Sequence, residues 1–329
     1  MRDRIVGFVR TMASAAIALA ALAGGAQAQE KLRWAHVLPL DTPIHAATVW
    51  AAEEIKRQTG GKYEIAVFGA SSLGTEATLN DSLAIGGIDI LIGGPSFIAR
   101  NYPRIGIAYY PFIFADADHL LRYSRSDLFK EMVEELRAKT GVHVAAYTYY
   151  GARHTTTGQR VFTSCSQMAG LKIRVPPAPA YTAMPRACGA NPTPVAFAEV
   201  YLALQNRTVD AQENPLPTIQ AMKFFEVQKA IMLTGHIVDG LITQLSPQLW
   251  RRLPAADRTI FETVMQQAAQ RATDELKAQE AQLVDFFRGR GLEVVEVDKE
   301  SFREALLKNV PVESMGFTRA DYDRIQKLR

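Results

Sequence analysis

KLRWAHVLPLDTPIHAATVWAAEEIKRQTGGKYEIAVF, residues 31–68, decides the fold class. Over Lys31 to Val37, Leu32, Trp34 and His36 alternate with Arg33, Ala35 and Val37, the period of a strand. Pro39, Asp41, Thr42 and Pro43 then make a turn. Thr42 is placed to cap a helix that has Pro43 at its first position. Ala46, Ala47, Trp50, Ala51, Glu54 and Ile55 recur at helical spacing, and Gly60-Gly61 stops the helix. Tyr63 to Phe68 is a second strand, with Tyr63, Ile65 and Val67 on one face. Strand, helix, strand in immediate succession predicts an α/β fold with a substantially parallel sheet.

Working outward, the alternation persists. A helix is predicted from about Glu76 to Ile85, closed by Gly86-Gly87, then a short apolar strand from Ile88 to Ile92 opening into Gly93-Gly94-Pro95. Pro103 to Phe114 reads as an aromatic loop or strand, Asp116 to Lys139 as one helix, and Val142 to Tyr150 as a strand that stops at Gly151. The pattern then restarts. Strands are predicted at Lys172–Val175, Asn191–Val195, Val209–Gln212 and Ile237–Leu245. Helices fall around Pro179–Ala187, Glu199–Gln205 and Leu216–Phe224. This is a second α/β unit, without sequence repeat between the halves. Pro254 to Arg288 is one long amphipathic stretch with Ile260, Val264, Ala268, Ala272, Leu276 and Leu283 in a stripe. At 1.5 Å per residue it would run roughly 50 Å, longer than one small domain, so it is expected to brace both units. No Gly/Ser-rich linker separates the halves, which predicts interleaved lobes.

Composition narrows the class. The chain has 329 residues, 48% hydrophobic and 22% charged, the profile of a globular protein of about two domains. Lys and Arg number 37 against 34 Asp and Glu, too even a balance for a nucleic-acid binder. At the N-terminus, Arg2, Arg4 and Arg10 precede an apolar stretch around Ala15 to Ala23, followed by Ala26-Gln27-Ala28. That is the pattern of a secretory signal peptide, residues 1–28, cleaved after Ala28, with an uncleaved anchor as the alternative. The apolar part is shorter than the ~20 residues of a comfortable membrane span. The mature protein is expected to be periplasmic. In that oxidising compartment Cys165 and Cys188 are candidates for a disulfide, two separate buried thiols being the alternative.

Catalytic signatures are absent from the sequence. There is no G-x-G-x-x-G, P-loop, G-x-S-x-G or H-E-x-x-H. His36, His45, His119, His143, His154 and His236 include no pair at the i, i+4 spacing of a helical metal site. Two arginines stand out instead. Arg153 follows the strand ending at Gly151, where a functional loop is expected, and Arg174 sits inside the apolar strand Leu171 to Val175. A guanidinium there is costly unless paired, and its fork matches a carboxylate. Either Arg174 holds a ligand carboxylate or it forms a structural salt bridge, with Glu213 or Asp210 as partner. Asp210-Ala211-Gln212-Glu213-Asn214-Pro215 places polar side chains at a strand end, where open α/β sheets bind ligands. Phe197 either lines that site or belongs to the core.

Four ordered blocks then carry a family resemblance: GARHTTT (151–157), GLKIRVP (170–176), NPTPVAFAEVYLALQ (191–205) and VDAQENP (209–215). Together they closely resemble TRAP-type solute-binding proteins of the DctP-like family, sialic-acid-binding members included, over nearly the whole mature chain. The resemblance implies a two-lobed periplasmic binding protein fold with a ligand cleft between lobes. It implies delivery of an organic acid to small and large TRAP membrane subunits, no catalysis, no cofactor and a monomer. Arg174 matches the carboxylate-clamping arginine, Arg153 the arginine supporting it, Asn214 an amide on the same carboxylate and Phe197 an aromatic lining residue. His36 matches a position facing ligand from the other lobe. The expected lobes are 29–150 with 240–278, and 151–239 with 279–329, the long helix of about 254–288 spanning both.

Departures bear on the ligand. Where sialic-acid binders carry an acid and a base, this chain has Gly94 and Phe97, so a smaller or partly apolar carboxylate is expected. Cation-dependent 2-oxo-acid binders show Glu-Trp where this chain has Glu213-Asn214, which points to a metal-free site. Two other classes remain: a carboxylate-binding sensory module, and a periplasmic enzyme acting on a carboxylate with Glu213 or His154 as base.

Overall fold

The structure, a computed structural model, describes residues 29–329; the expected signal peptide and its cleavage site lie outside the described residues. Nine strands form a single sheet: β1 Glu30–Ala35, β2 Tyr63–Phe68, β3 Ile90–Gly93, β4 His143–Thr157, β5 Lys172–Val175, β6 Asn191–Pro194, β7 Ala211–Pro215, β8 Ala230–Leu245 and β9 Glu293–Val295. Their order is β2-β1-β3-β8-β4-β7-β5-β6, with β9 beside β8.

The parallel expectation holds at both ends of this sheet and fails in the middle. β1 pairs parallel with β2 and β3, and β5 pairs parallel with β6 and β7. The centre is antiparallel: β8 runs against β3 and β4, and β4 against β7. The two central strands are the longest, 15 and 16 residues, and they join the two α/β ends into one framework.

Their length corrects two sequence-based boundaries. β4 does not stop at Gly151, and β8 starts at Ala230 rather than Ile237. Glycine in a strand pattern marks a bulge as readily as an end. Gly151 takes φ +126°, and the β4–β8 register shifts between Tyr149 and Gly151 before pairing resumes. Thr155, Thr156 and Thr157 then continue the strand with buried, β-branched side chains. Arg153 therefore stands on a strand, not in a loop. A third boundary also differs. The helix expected over Asp116 to Lys139 is two, Ala117–Arg125 and Asp127–Thr140, because Ser126 is extended and its Oγ accepts the Phe129 N–H as a cap.

The first helix, α1 Pro43–Gln58, starts as the sequence implies, with Thr42 accepting the His45 N–H and Pro43 in the first turn. The long helix spans Ala255–Gly289. It packs on α1 and on β4. Its Phe261, Val264, Ala268, Ala272 and Leu276 join the main core, while Leu283 and Phe287 join a smaller one with Leu216, Ile219, Phe224 and Leu292. One rigid rod thus anchors in both apolar clusters. No helix among the described residues is long and apolar enough to cross a membrane. Cys165 and Cys188 are joined by a disulfide that brackets β5, with Cα atoms 4.9 Å apart.

Candidate functional site

A cavity of about 200 Å³ opens at the ends of the strands from both sides of the sheet. From the β1–β3 side come Val37, Leu38, Glu76, Ile92, Gly93 and Phe97. From the β4–β7 side come Tyr150, Arg153, Arg174, Tyr181, Phe197 and Asn214, with Asp239 and Leu241 from β8. A site where strands of opposite halves converge matches the ligand position of open α/β sheets.

Arg153 is 2% exposed and fully engaged with protein. Its Nε and Nη2 clasp the Glu213 carboxylate, Nη1 donates to Asp239 Oδ2 at 2.8 Å, and Nη2 also reaches the Glu213 carbonyl and Asn214 Oδ1. His236 Nε2 lies 3.2 Å from Glu213 Oε2, the oxygen that accepts Arg153 Nε. Burial alone would depress the Arg153 pKa, but Glu213 and Asp239 outweigh it and hold it well above its ordinary value. Burial also acts against ionised Glu213, yet Arg153 and His236 keep its carboxyl below the usual range. Asp239 is the opposite case. Its burial prevails over Arg153 and raises its pKa, and it also accepts the Tyr109 hydroxyl at 2.5 Å. The salt bridge that the sequence left open for Arg174 belongs to Arg153.

Arg174 is as deeply buried, at 1% exposure, and has no acidic partner among the described residues. Its Nε and Nη2 both donate to the Val195 carbonyl, at 2.9 and 2.7 Å, and its Nη1 has no hydrogen-bond partner among the described residues. Asp210, the other candidate partner, accepts the Lys172 N–H instead. Desolvation lowers the Arg174 pKa to about 10, so the group remains a cation at neutral pH. The Val195 carbonyl fixes the guanidinium plane, and Arg174 lines the cavity. Such an arrangement suits a carboxylate ligand, which would supply the missing counter-charge and acceptors.

Glu76 faces this cation from the other side and was not among the residues singled out by sequence. It opens helix α2, Glu76–Ala84, behind the Thr75 cap. Its Oε1 accepts the Gly94 N–H at 2.6 Å. Burial raises its pKa to about 7, Asp239 adding to the effect while Gly94, Arg153 and Arg174 oppose it. A Cβ at Gly93 would lie 2.8 Å from Glu76 Oε1, so a larger residue there would displace the carboxyl. An acid in the first turn of a helix ordinarily serves the helix dipole, so nothing in the linear sequence set Glu76 apart. Asp239 did carry a legible signal, a charge inside the apolar strand from Ile237 to Leu241, as with Arg174.

The remaining expected residues divide. Asn214 lines the cavity, its Nδ2 donating to Gln212 Oε1 at 2.6 Å, and Phe197 and Phe97 form apolar wall. His36 does not line it. The chain turns after β1 so that Val37 and Leu38 face the cavity, and His36 is fully buried with Nε2 3.0 Å from His45 Nδ1. Desolvation, then His45, lowers the His36 pKa to about 4. His154 and Glu213, the bases an enzyme reading would need, are also outside the lining; His154 Nδ1 accepts the Gly235 N–H. No group of three or more metal-ligating side chains is found among the described residues.

Comparison with known proteins places this architecture. The family of bacterial extracellular solute-binding proteins, family 7 (DctP), matches residues 34–312. The sialic acid-binding periplasmic protein SiaP of Vibrio cholerae is 36% identical over 255 residues, which cover 78% of this chain and 79% of that one. A TRAP periplasmic solute binding protein from Bordetella, with density assigned to pantoate, superposes with a TM-score of 0.86 at 29% identity, covering 92% of this chain and 100% of its own. One from Polaromonas, bound to D-erythronate, gives 0.82 at 30% identity over 89% of this chain and 98% of its own. A two-lobed α/β framework, a buried arginine without a counter-charge and a match across nearly all of the described chain lead to one conclusion: this chain belongs to the DctP family of TRAP-type solute-binding proteins.

Proposed function

We propose that the chain is the periplasmic substrate-binding subunit of a TRAP-type secondary transporter, exported by a signal peptide cleaved after Ala28. It takes a small hydroxylated monocarboxylic acid by its carboxylate and delivers it, as a monomer and without chemical change, to the small and large membrane subunits. The observation that carries this reading is Arg174, a buried cation oriented by Val195 that lines the cavity and lacks an anionic partner among the described residues. Arg153 supports it from the adjoining strands, and the second amide hydrogen of Asn214 can reach the same carboxylate.

Glu76 narrows the ligand class. A second ligand carboxylate would meet the Glu76 carboxyl, whereas a hydroxyl can donate to it or accept from it. A cavity of about 200 Å³ lies below the roughly 300–1,000 Å³ of typical small-molecule sites, which suits a short chain. Pantoate and D-erythronate, named with two similar structures, are both hydroxy monocarboxylates. Gly94 and Phe97 stand where sialic-acid binders carry an acid and a base, and Phe97 gives the cavity apolar wall, which disfavours a nine-carbon sugar acid. The two lobes, 29–150 with 240–278 and 151–239 with 279–329, close over the ligand about the connections between them. Ligand shifts the open and closed populations through its differential affinity.

Thermal-shift measurements with D-erythronate, pantoate, L-galactonate, sialic acid and succinate test the proposal. At about 100-fold saturation a true ligand stabilises by roughly 2.7 kcal/mol. A hydroxy monocarboxylate should raise Tm in the wild type and not in Arg174→Ala. A shift with succinate alone, or an equal shift in the variant, would overturn the assignment.

A further inference from the structure

Tyr150 and Arg153 both line the cavity, although they stand three positions apart on the same strand. In a regular strand, residues an odd number apart face opposite sides. The one-residue irregularity at Gly151 reverses the phase between them, as a β-bulge does. Gly151 itself is confined: it has φ +126°, and a Cβ there would lie 2.6 Å from Pro215 Cβ and 3.1 Å from Glu280 Oε1.

A bulge disturbs the ladder and requires other acceptors for its N–H groups. The long helix provides them. Glu280 Oε1 accepts the Ala152 N–H at 2.7 Å, and its Oε2 accepts the Tyr149 hydroxyl at 2.5 Å. Thr273, two turns earlier on the helix, accepts the Tyr149 N–H at 3.1 Å. The two helix residues thus hold both sides of Gly151. Burial raises the Glu280 pKa, with Tyr149 and the Ala152 N–H opposing. Beside this point Gly151 pairs with Asp239 of β8, itself bonded to Arg153.

We infer that Glu280 is a positioning residue for ligand binding: it pins the Gly151 bulge through Ala152 and Tyr149, and so turns Tyr150 and Arg153 into one cavity. Glu280 itself does not line the cavity. The inference rests on the reading of that cavity as an acid-binding site. It adds a function for the long helix beyond bracing, because the helix sets the geometry of the binding wall.

The test compares the wild type with Glu280→Ala, Glu280→Asp and Glu280→Gln. Calorimetric titration uses D-erythronate, pantoate and L-galactonate, and hydrogen exchange follows residues 149–153. Alanine removes the acceptors and aspartate is one methylene too short, so both should weaken the acid that binds wild type by about tenfold or more. Glutamine keeps an oxygen for the Ala152 N–H and an amide donor for Tyr149, and should restore affinity to within about threefold. Exchange at 149–153 should accelerate in the alanine and aspartate variants, with β1–β3 unchanged. The aspartate variant carries the test if the alanine variant does not fold. Wild-type affinity in either folded variant, or a glutamine variant as weak as alanine, would overturn the inference. Should none of the acids bind wild type, the proposed function fails, and exchange alone then judges the pin: unchanged protection at 149–153 in the variants would overturn it.

Discussion

Arg153 and Arg174 stand on strands separated only by β7, and both are almost wholly buried, yet their surroundings are opposite. Around Arg153 the protein has assembled Glu213, Asp239 and Asn214. Around Arg174 it offers one carbonyl and leaves a nitrogen without a partner. Both groups meet a desolvation penalty. At Arg153 the fold offsets it internally, so the residue is part of the architecture. At Arg174 no carboxylate among the described residues offsets it. Burial alone does not separate a charge the fold neutralises from one it leaves without a counter-charge; the partner inventory does.

Deletion of each arginine in turn should affect different properties. Arg153→Ala leaves Glu213 and Asp239 buried without their cation and should cost about 3–5 kcal/mol of stability, read from urea unfolding. A wild-type midpoint would mean the cluster is not structural. Arg174→Ala should leave the free protein as stable as wild type or more so, since it removes an uncompensated buried charge. Its effect belongs in affinity, a loss of about 2–5 kcal/mol for the acid that binds wild type, measured by calorimetry. Equal stability losses in the two variants would erase the distinction.

The disulfide sharpens the comparison from another side, because Cys165 and Cys188 bracket the strand that carries Arg174. Replacing both by serine reopens a loop with a sequence separation of 23 and should lower stability by roughly 3 kcal/mol in the chain-entropy account. Arg153, held by β7 and β8, should be little disturbed, so affinity should fall more than the network around Glu213 loosens; hydrogen exchange of the β4–β7 and β5 peptides would show it.

Glu76 supplies the smallest effect and a sign that can be checked. Its pKa of about 7 in the folded protein exceeds its ordinary value of 4.5. Between those values the native state keeps a proton that the unfolded chain has released. Its contribution to stability is therefore fully present below pH 4.5, declines as pH rises towards 7 and is absent above it, a change of at most about 3 kcal/mol. Glu76→Gln should abolish that decline. His36, with its pKa lowered to about 4, gives the opposite slope below its ordinary value of 6.5, so the difference between wild type and variant isolates Glu76. Parallel pH profiles for the two proteins would show that Glu76 is not held protonated.

Much of the fold was legible because local chemistry dictated it. Thr42-Pro43 before an apolar stretch of helical period starts a helix, and the stripe from Val264 to Leu283 belongs to one helix long enough for two cores. Arg174 was legible because a cation in an apolar strand has few explanations. The continuation of β4 past Gly151 was not, because a glycine can end a strand or bulge it, and Pro215 and Glu280 make the choice from far along the chain. The break at Ser126 was missed for a related reason. Serine is tolerated within a helix, and its use as a cap shows only in the backbone.

By itself the sequence determined the class of architecture, the family and the presence of two arginines that had to be bonded to something, since periodicity and the cost of burying charge are local facts. Which arginine takes Glu213 could only be decided in three dimensions. The strand order places β7 between β4 and β5, its Glu213 bonds the β4 arginine, and Asp239 arrives from β8 on the same side. Glu76 enters the cavity, and His36 leaves it, by the same kind of decision. Spacing along the chain carries no record of which side chains the packed strands bring into reach, and that reach decides which charge is left without a counter-charge.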